Sequence, residues 1–318
     1  MKNIKQKLIF LLKIIFSFII LYYLFSKVGI KPVIDTAIKI PMHFFVLVVL
    51  IHFVIMYLSA LRTRLILRFK IKISRLLSIS AITYFFNTFT PANMGGDIIK
   101  LYFIKKEIKN NFSNGLITDA FAPIFMERFM GLFVTLFLCV IFLPNFLNYY
   151  KIQQIWAFPT IMTIFFILTL AILHFQVGNK IKLIADFYKS LSHFKSRKNF
   201  LYISLIYSII IQMLNIFIVY ILSIGLGLNI HYLYYFSIIP LITLINLIPI
   251  SIGGLGIREG AFVFFLNIVH IPADKALALS LLNFATTFTA SLIGLIEYLR
   301  YKDALKDNLK NKLNIKIS

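Results

Sequence analysis

Pro91-Ala92-Asn93-Met94-Gly95-Gly96-Asp97-Ile98-Ile99-Lys100 interrupts a run of apolar residues with a helix breaker, a glycine pair, an acid and a base. The pattern returns as Pro249-Ile250-Ser251-Ile252-Gly253-Gly254-Leu255-Gly256-Ile257-Arg258. In both copies the glycine pair begins four residues after the proline, the cation stands nine after it, and an asparagine, Asn87 or Asn246, lies just upstream. Proline ends a helix by removing a donor and clashing with the preceding turn. Glycine admits backbone that other residues resist. The repeated spacing predicts two copies of one membrane-embedded element, with function seated between them.

The surrounding composition sets that expectation. Of 318 residues, 60% are hydrophobic, and the mean hydropathy is +0.90. Soluble domains average about 45–50% apolar. Several runs reach the roughly 18 apolar residues that suffice to cross a bilayer. Long Ile/Leu/Phe runs are not the weak alternation of a membrane β-barrel, so the fold class is an all-α polytopic membrane protein. Lys and Arg number 33 against 11 Asp and Glu, a formal charge of +22. The cations cluster between apolar runs, as in cytoplasmic loops that face anionic headgroups. No nucleic-acid module is recognisable, and no nucleic-acid partner is expected. The lone cysteine, Cys139, and six scattered histidines give neither a disulfide nor a metal-ligand spacing. No metal or cofactor is expected.

In chain order, the first span is expected at residues 8–26, as an uncleaved segment without a small-residue cleavage site. A short loop with Lys27, Lys31, Asp35 and Lys39 follows, then a second span at 41–61. A dense basic loop begins at Arg62 and Arg64 and ends at Arg75; the positive-inside rule puts it in the cytoplasm with the N-terminus. Leu76 to Phe89 is too short to cross a hydrocarbon core of about 30 Å. A second basic loop, with Lys105, Lys106 and Lys109, follows the break. Basic flanks on both sides predict a re-entrant hairpin. A third span at 116–143 carries Asp119, Glu127 and Arg128 and a kink at Pro123. Spans at 156–175 and 200–223 follow, separated by a basic loop. The second interrupted segment enters from the other face, and a span at 276–299 leads to a basic cytoplasmic tail at 300–318.

The sum is about six full spans plus two re-entrant hairpins in one transmembrane domain, 1–318, of the cell's inner (cytoplasmic) membrane, with both termini expected on the cytoplasmic side. The first half, about 41–144, matches the second, about 200–300, upside down, the inverted-topology plan of many transporters. Eight full spans are the alternative, which the charge pattern disfavours.

The candidate site follows from the breaks. Non-helical backbone at membrane depth is tolerated only against protein or a water-filled cavity. The amides of Gly95, Gly96, Gly253 and Gly254 can then face an anion, helped by a helix N-terminus. Lys100 and Arg258 lie about one turn into the returning helices. Asp97 and Glu259 flank the breaks; a carboxylate at this depth reads as functional, although Asp97 also fits a helix cap and Glu259 a partner for a neighbouring cation. Glu127 and Arg128 point about 100° apart on one helix and need other partners. Lys100 or Arg258 suits the first, Asp97 or Glu259 the second, and a structural ion pair is the competing reading. Asn283, Thr287, Ser291 and Gly294 share a helix face, as a packing seam would. No catalytic residue is assigned. The substrate-binding set is Asn87, Pro91, Gly95, Gly96, Asp97, Lys100, Glu127, Arg128, Gly253, Gly254, Arg258 and Glu259.

Asn87-Thr-Phe-Thr-Pro-Ala-Asn-Met-Gly-Gly-Asp97, Glu127-Arg128-Phe-Met-Gly131 and Pro249 through Gly260 together resemble one family. It is the flippase-like membrane family that includes the transmembrane region of lysylphosphatidylglycerol synthases. The resemblance covers nearly the whole chain and implies a lipid-translocating domain with two re-entrant elements. It marks Asp97, Glu127, Arg128, Arg258 and Glu259 as motif residues. Lys100 stands where many members carry arginine, which removes two-pronged phosphate binding there. About 19 residues follow the last span, too few for a soluble synthase domain, so synthase activity is not expected to transfer. The expected partners are membrane lipids with phosphate headgroups. The expected function is movement of a phospholipid or polyprenyl-phosphate-linked headgroup through a polar cavity between the hairpins. A multispan transferase on a lipid phosphate, and a non-transporting partner of a separate lipid-modifying enzyme, are the alternatives. A second copy of the chain is a further open partner.

Overall fold

The computed structural model describes residues 2–67, 69–90, 95–111, 117–150, 157–178, 181–195, 198–248, 250–251 and 253–314. Pro91, Met94, Pro249 and Ile252 lie outside the described residues. The described chain folds as helices and turns without strand: α1 Lys2–Val28, α2 Ile30–Ile38, α3 Met42–Ile66, α4 Ile73–Thr88, α5 Gly95–Asn111, α6 Ile117–Tyr150, α7 Ala157–His174, α8 Lys182–Lys195, α9 Lys198–Gly225, α10 Tyr232–Asn246, α11 Ile257–Ile268 and α12 Ala273–Asn314. In lipid every backbone polar group must be satisfied internally, and an apolar chain meets that demand with helices.

Among the described residues four helices are long and apolar enough to cross a bilayer: Met42–Ile66, Thr118–Pro144, Asn199–Gly225 and Ala273–Tyr301. They cover the spans expected at 41–61, 116–143, 200–223 and 276–299. The first expected span becomes a bent pair, Lys13–Val28 and Ile30–Ile38, meeting at 86°. The bend falls at Gly29, whose φ of +85° suits glycine. The loop expected at Lys31 to Lys39 is therefore mostly the helix α2. Val33 anchors it against Leu277 and Ala278 of α12. The span expected at 156–175 is a shorter apolar helix, Pro159–His174.

The basic loops are also more helical than charge alone suggests. Arg62 and Arg64 belong to α3, and Lys105, Lys106 and Lys109 to α5. The loop near residue 190 contains α8, whose Phe187 and Leu191 pack on Ala122, Met126 and Met130 of α6. Helix α6 runs through both Pro123 and Pro144, and α12 carries the basic tail to Asn314 as helix.

The interrupted segments form two helical hairpins, α4/α5 and α10/α11. At about 1.5 Å per residue, the 16 residues of α4 and 12 of α11 span about 24 and 18 Å, less than the roughly 30 Å of a hydrocarbon core. Both feet of the first hairpin meet at Tyr301. Arg75 at the start of α4 and Lys106 near the end of α5 lie over its ring at 5.8 and 5.1 Å. The same end gathers Ala60, Leu76, Ile104 and Ala120 into one apolar cluster. The feet of the second hairpin are joined by Tyr234, whose hydroxyl donates to the Phe265 carbonyl. That hairpin starts at the opposite end of the bundle, where Ser237 donates to the Phe142 carbonyl late in α6 at 3.1 Å. Helices α3 and α9 run antiparallel. Arg62 near the end of α3 meets Ser208 early in α9, and Gly225 at the end of α9 lies against Ile40 and Phe44.

Candidate functional site

The two breaks meet inside the bundle. The Gly253 amide donates to the Thr90 carbonyl at 3.3 Å. A side-chain carbon on Gly253 would come within 2.5 Å of the Thr88 carbonyl oxygen. Beside them Phe89 packs edge-on against Phe288, halfway along the spanning part of α12. Gly253, Gly254 and Gly256 have φ of +58°, +75° and +83°, left-handed backbone that glycine enters without the penalty paid by other residues.

The glycine amides are engaged in this packing. Gly95 donates to the Thr90 hydroxyl and Gly96 to the Asn87 side-chain oxygen, each at 2.9 Å. Gly256 donates to Glu259 Oε2 at 2.6 Å. These side chains cap the returning helices α5 and α11, whose first amides lack intrahelical partners. Of the four amides expected to cradle an anion, those of Gly95, Gly96 and Gly253 are thus taken by Thr90 and Asn87. Asp97 does not cap; its carboxylate turns to another helix.

Two charged clusters flank the contact of the tips. In the first, Arg128 Nε donates to Asp97 at 2.5 Å, and Lys100 Nζ donates to Glu127 Oε2 at 2.6 Å and to Thr63 Oγ1 at 2.7 Å. Glu127 and Arg128 each find a partner on α5, and these pairs join α6 to the returning arm of the first hairpin. Arg62 adds a third cation. Its Nη2 lies 3.6 Å from Glu127 Oε2, and Nη1 donates to Ser208 at 3.0 Å. In these pairs Arg62, Lys100 and Arg128 face the carboxylates of Glu127 and Asp97. Arg62 Nε and Glu127 Oε1 are buried without a partner; an unmet buried polar group typically costs about 1–3 kcal/mol.

In the second cluster Arg258 donates from Nε to Glu259 Oε1 at 3.0 Å and also from Nη2. Ser280 reaches the same oxygen at 3.4 Å, and the guanidinium lies 4.8 Å over the Phe284 ring of α12. Neighbours in sequence can pair here because Glu259 turns back to the Gly256 amide and Arg258 follows it. Where Lys100 finds a carboxylate on α6, Arg258 finds an aromatic face on α12.

Lys100 and Glu127 are as buried as the second cluster, at 3% and 6% exposed, but the Asp97–Arg128 pair is not. Asp97 and Arg128 are 19% and 38% exposed, Glu259 and Arg258 0% and 11%. Helix α1 accounts for part of this: Ser17 and Ile20 lie against Gly256. Asn246 approaches Gly254 as Asn87 approaches Gly96. Pro91 belongs to the expected set but lies outside the described residues. Arg62, Thr63, Thr90, Ser208 and Ser280 were not expected. For Arg62 a signal existed: Leu65-Ile66-Leu67 continues the apolar pattern beyond it, so the helix and its environment extend past the cation.

A family profile described as the lysylphosphatidylglycerol synthase TM region matches residues 10–294. A UPF0104 membrane protein of Methanothermobacter thermautotrophicus is 24% identical over 259 residues, covering 71% of this chain and 75% of that protein. No solved structure matches the chain.

Proposed function

The chain belongs to the family of the lysylphosphatidylglycerol synthase transmembrane region, and from that premise we propose that it moves a phosphate-bearing lipid headgroup across the cytoplasmic membrane. The headgroup passes between the hairpin tips while the lipid tails stay in the bilayer. The observation that carries this reading is the meeting of the tips at Thr90 and Gly253, with a charged first turn on each returning helix. A break closed by hydrogen bonds and flanked by ion pairs can open without leaving backbone groups in contact with lipid.

In this reading the hairpins are re-entrant from opposite faces, and residues 41–144 and 200–300 form an inverted repeat. Three features support it. Hairpin feet gather at opposite ends of the bundle. Packing also corresponds between halves: α4 meets α12 as α10 meets α6, α5 meets α6 as α11 meets α12, and α3 meets α12 as α9 meets α6. Helices α3 and α9 are equivalents in that scheme and run antiparallel. Equivalent helices related by an axis along the membrane normal would run parallel; an axis in the membrane plane reverses them. Basic segments at the feet of the first hairpin favour a cytoplasmic location for them and for both termini.

The half-exposed Asp97–Arg128 pair is the first headgroup contact, with Arg128 positioned for phosphate. Lys100, Glu127, Arg258 and Glu259 hold the arms around it. The test is reconstitution of purified protein in vesicles carrying headgroup-labelled phospholipids or a polyprenyl phosphate. Protein-dependent loss of the protected inner-leaflet signal is expected. Failure to move any of these lipids overturns the reading.

A further inference from the structure

Arg62 and Glu127 each carry one buried polar atom without a partner, Nε on the guanidinium and Oε1 on the carboxylate. These are the atoms that a two-pronged arginine–carboxylate pair would use together with Nη2 and Oε2. The pair is half made: Nη2 stands 3.6 Å from Oε2, while Lys100 holds that oxygen at 2.6 Å. Buried polar groups in native proteins are overwhelmingly satisfied, so two complementary orphans on neighbouring side chains point to a second arrangement that satisfies both.

The three residues sit on different kinds of element. Lys100 belongs to α5, the returning arm of the first hairpin; Arg62 and Glu127 belong to the long spans α3 and α6. We propose that Arg62 is the reserve partner of Glu127. When the hairpin arm withdraws Lys100, Arg62 closes onto both carboxylate oxygens, so Glu127 is never left as a lone buried charge. Lysine is the suitable partner to lose, being a point charge on a flexible stem, and arginine the suitable one to receive, with its planar fork. Ser208 tethers Nη1 at 3.0 Å and keeps the guanidinium at hand. Arg62 is thus a positioning residue that acts through Glu127.

The inference rests on the first hairpin moving during lipid transport, but its test reads stability and mobility. Thermal unfolding of the full chain is measured for Arg62→Gln, Lys100→Met and the double variant, each with and without Glu127→Gln. Lys100→Met alone is expected to be mild, because Arg62 takes over. The double variant is expected to lose more than the sum of the singles, and Glu127→Gln to restore most of that loss. If the double variant cannot be purified, Arg62→Lys/Lys100→Met replaces it, with a smaller excess loss expected. A spin label at Ile98, exposed on the first turn of α5, should become more mobile in Lys100→Met and no more mobile in Arg62→Gln. Additive losses, or equal label mobility in all variants, overturn the proposal. Coupled stabilities in a protein that moves no lipid would instead overturn the transport reading and leave this one standing.

Discussion

At the residue scale the two motif ion pairs have the same chemistry and opposite settings. Arg128 of the Asp97–Arg128 pair is more than a third exposed, so solvent screens the pair, and such pairs contribute about 0–1 kcal/mol. Asp97→Asn should therefore unfold within about 1 kcal/mol of the parent chain in denaturant titration. Lipid movement should still fall about tenfold or more, the equivalent of one lost charge-assisted bond of about 1.5–3 kcal/mol. Glu259→Ala should behave in the opposite way. Glu259 is fully buried, and its removal strands Arg258, which costs about 3–5 kcal/mol for a broken buried pair. The same titration should show that loss directly. Glu127 and Arg128 were legible in sequence because adjacent helical side chains diverge and must find separate partners. Arg62 was not, because a cation at the end of an apolar run looks like the beginning of a loop; Ser208, Thr63 and Glu127 make it part of the interior.

At the element scale the hairpins depend on close backbone approach. Gly253 combines a left-handed φ with a neighbouring carbonyl of the other hairpin. Gly253→Ala should cost at least the ~1–2 kcal/mol of left-handed strain and separate the tips. A lowered melting temperature is expected. Gly294 of α12 lets α4 approach so closely that a side-chain carbon would fall 2.0 Å from the Ala81 carbonyl oxygen. Gly294→Val should destabilise by about 1–3 kcal/mol, the range for overpacking. Gly131 is the control, since nothing lies within 4 Å of its would-be side chain. Gly131→Ala in mid-helix should be neutral or slightly stabilising on the same melting curves. The seam of Thr287, Ser291 and Gly294 was legible from helical spacing. His52, which meets Tyr84 at 2.7 Å and Thr287 at 3.5 Å, became part of it only when α3, α4 and α12 came together.

At the scale of the molecule the proposed topology makes one prediction that needs no assay of function. Cysteines at Ser74 and Lys105, exposed at the two feet of the first hairpin, should label with an impermeant reagent from one face of sealed vesicles. Cysteines at His231 and His270, exposed at the feet of the second, should label only from the other. Native Cys139 is buried and should stay silent. Labelling of all four from one face would remove the inverted arrangement.

Sequence alone determined that the chain is helical and membrane-embedded, because an apolar chain in lipid must satisfy its own backbone. It also located both breaks, because proline and paired glycines cannot continue a helix unperturbed. The tertiary structure decided which charges meet and which glycine amides are free. Glu127 could have faced Lys100 or Arg258, and the amides could have faced an anion. Packing of α5 on α6, and of Asn87, Thr90 and Glu259 on the breaks, chose among these. Such choices depend on distances between helices far apart in sequence, which no local pattern of residues encodes.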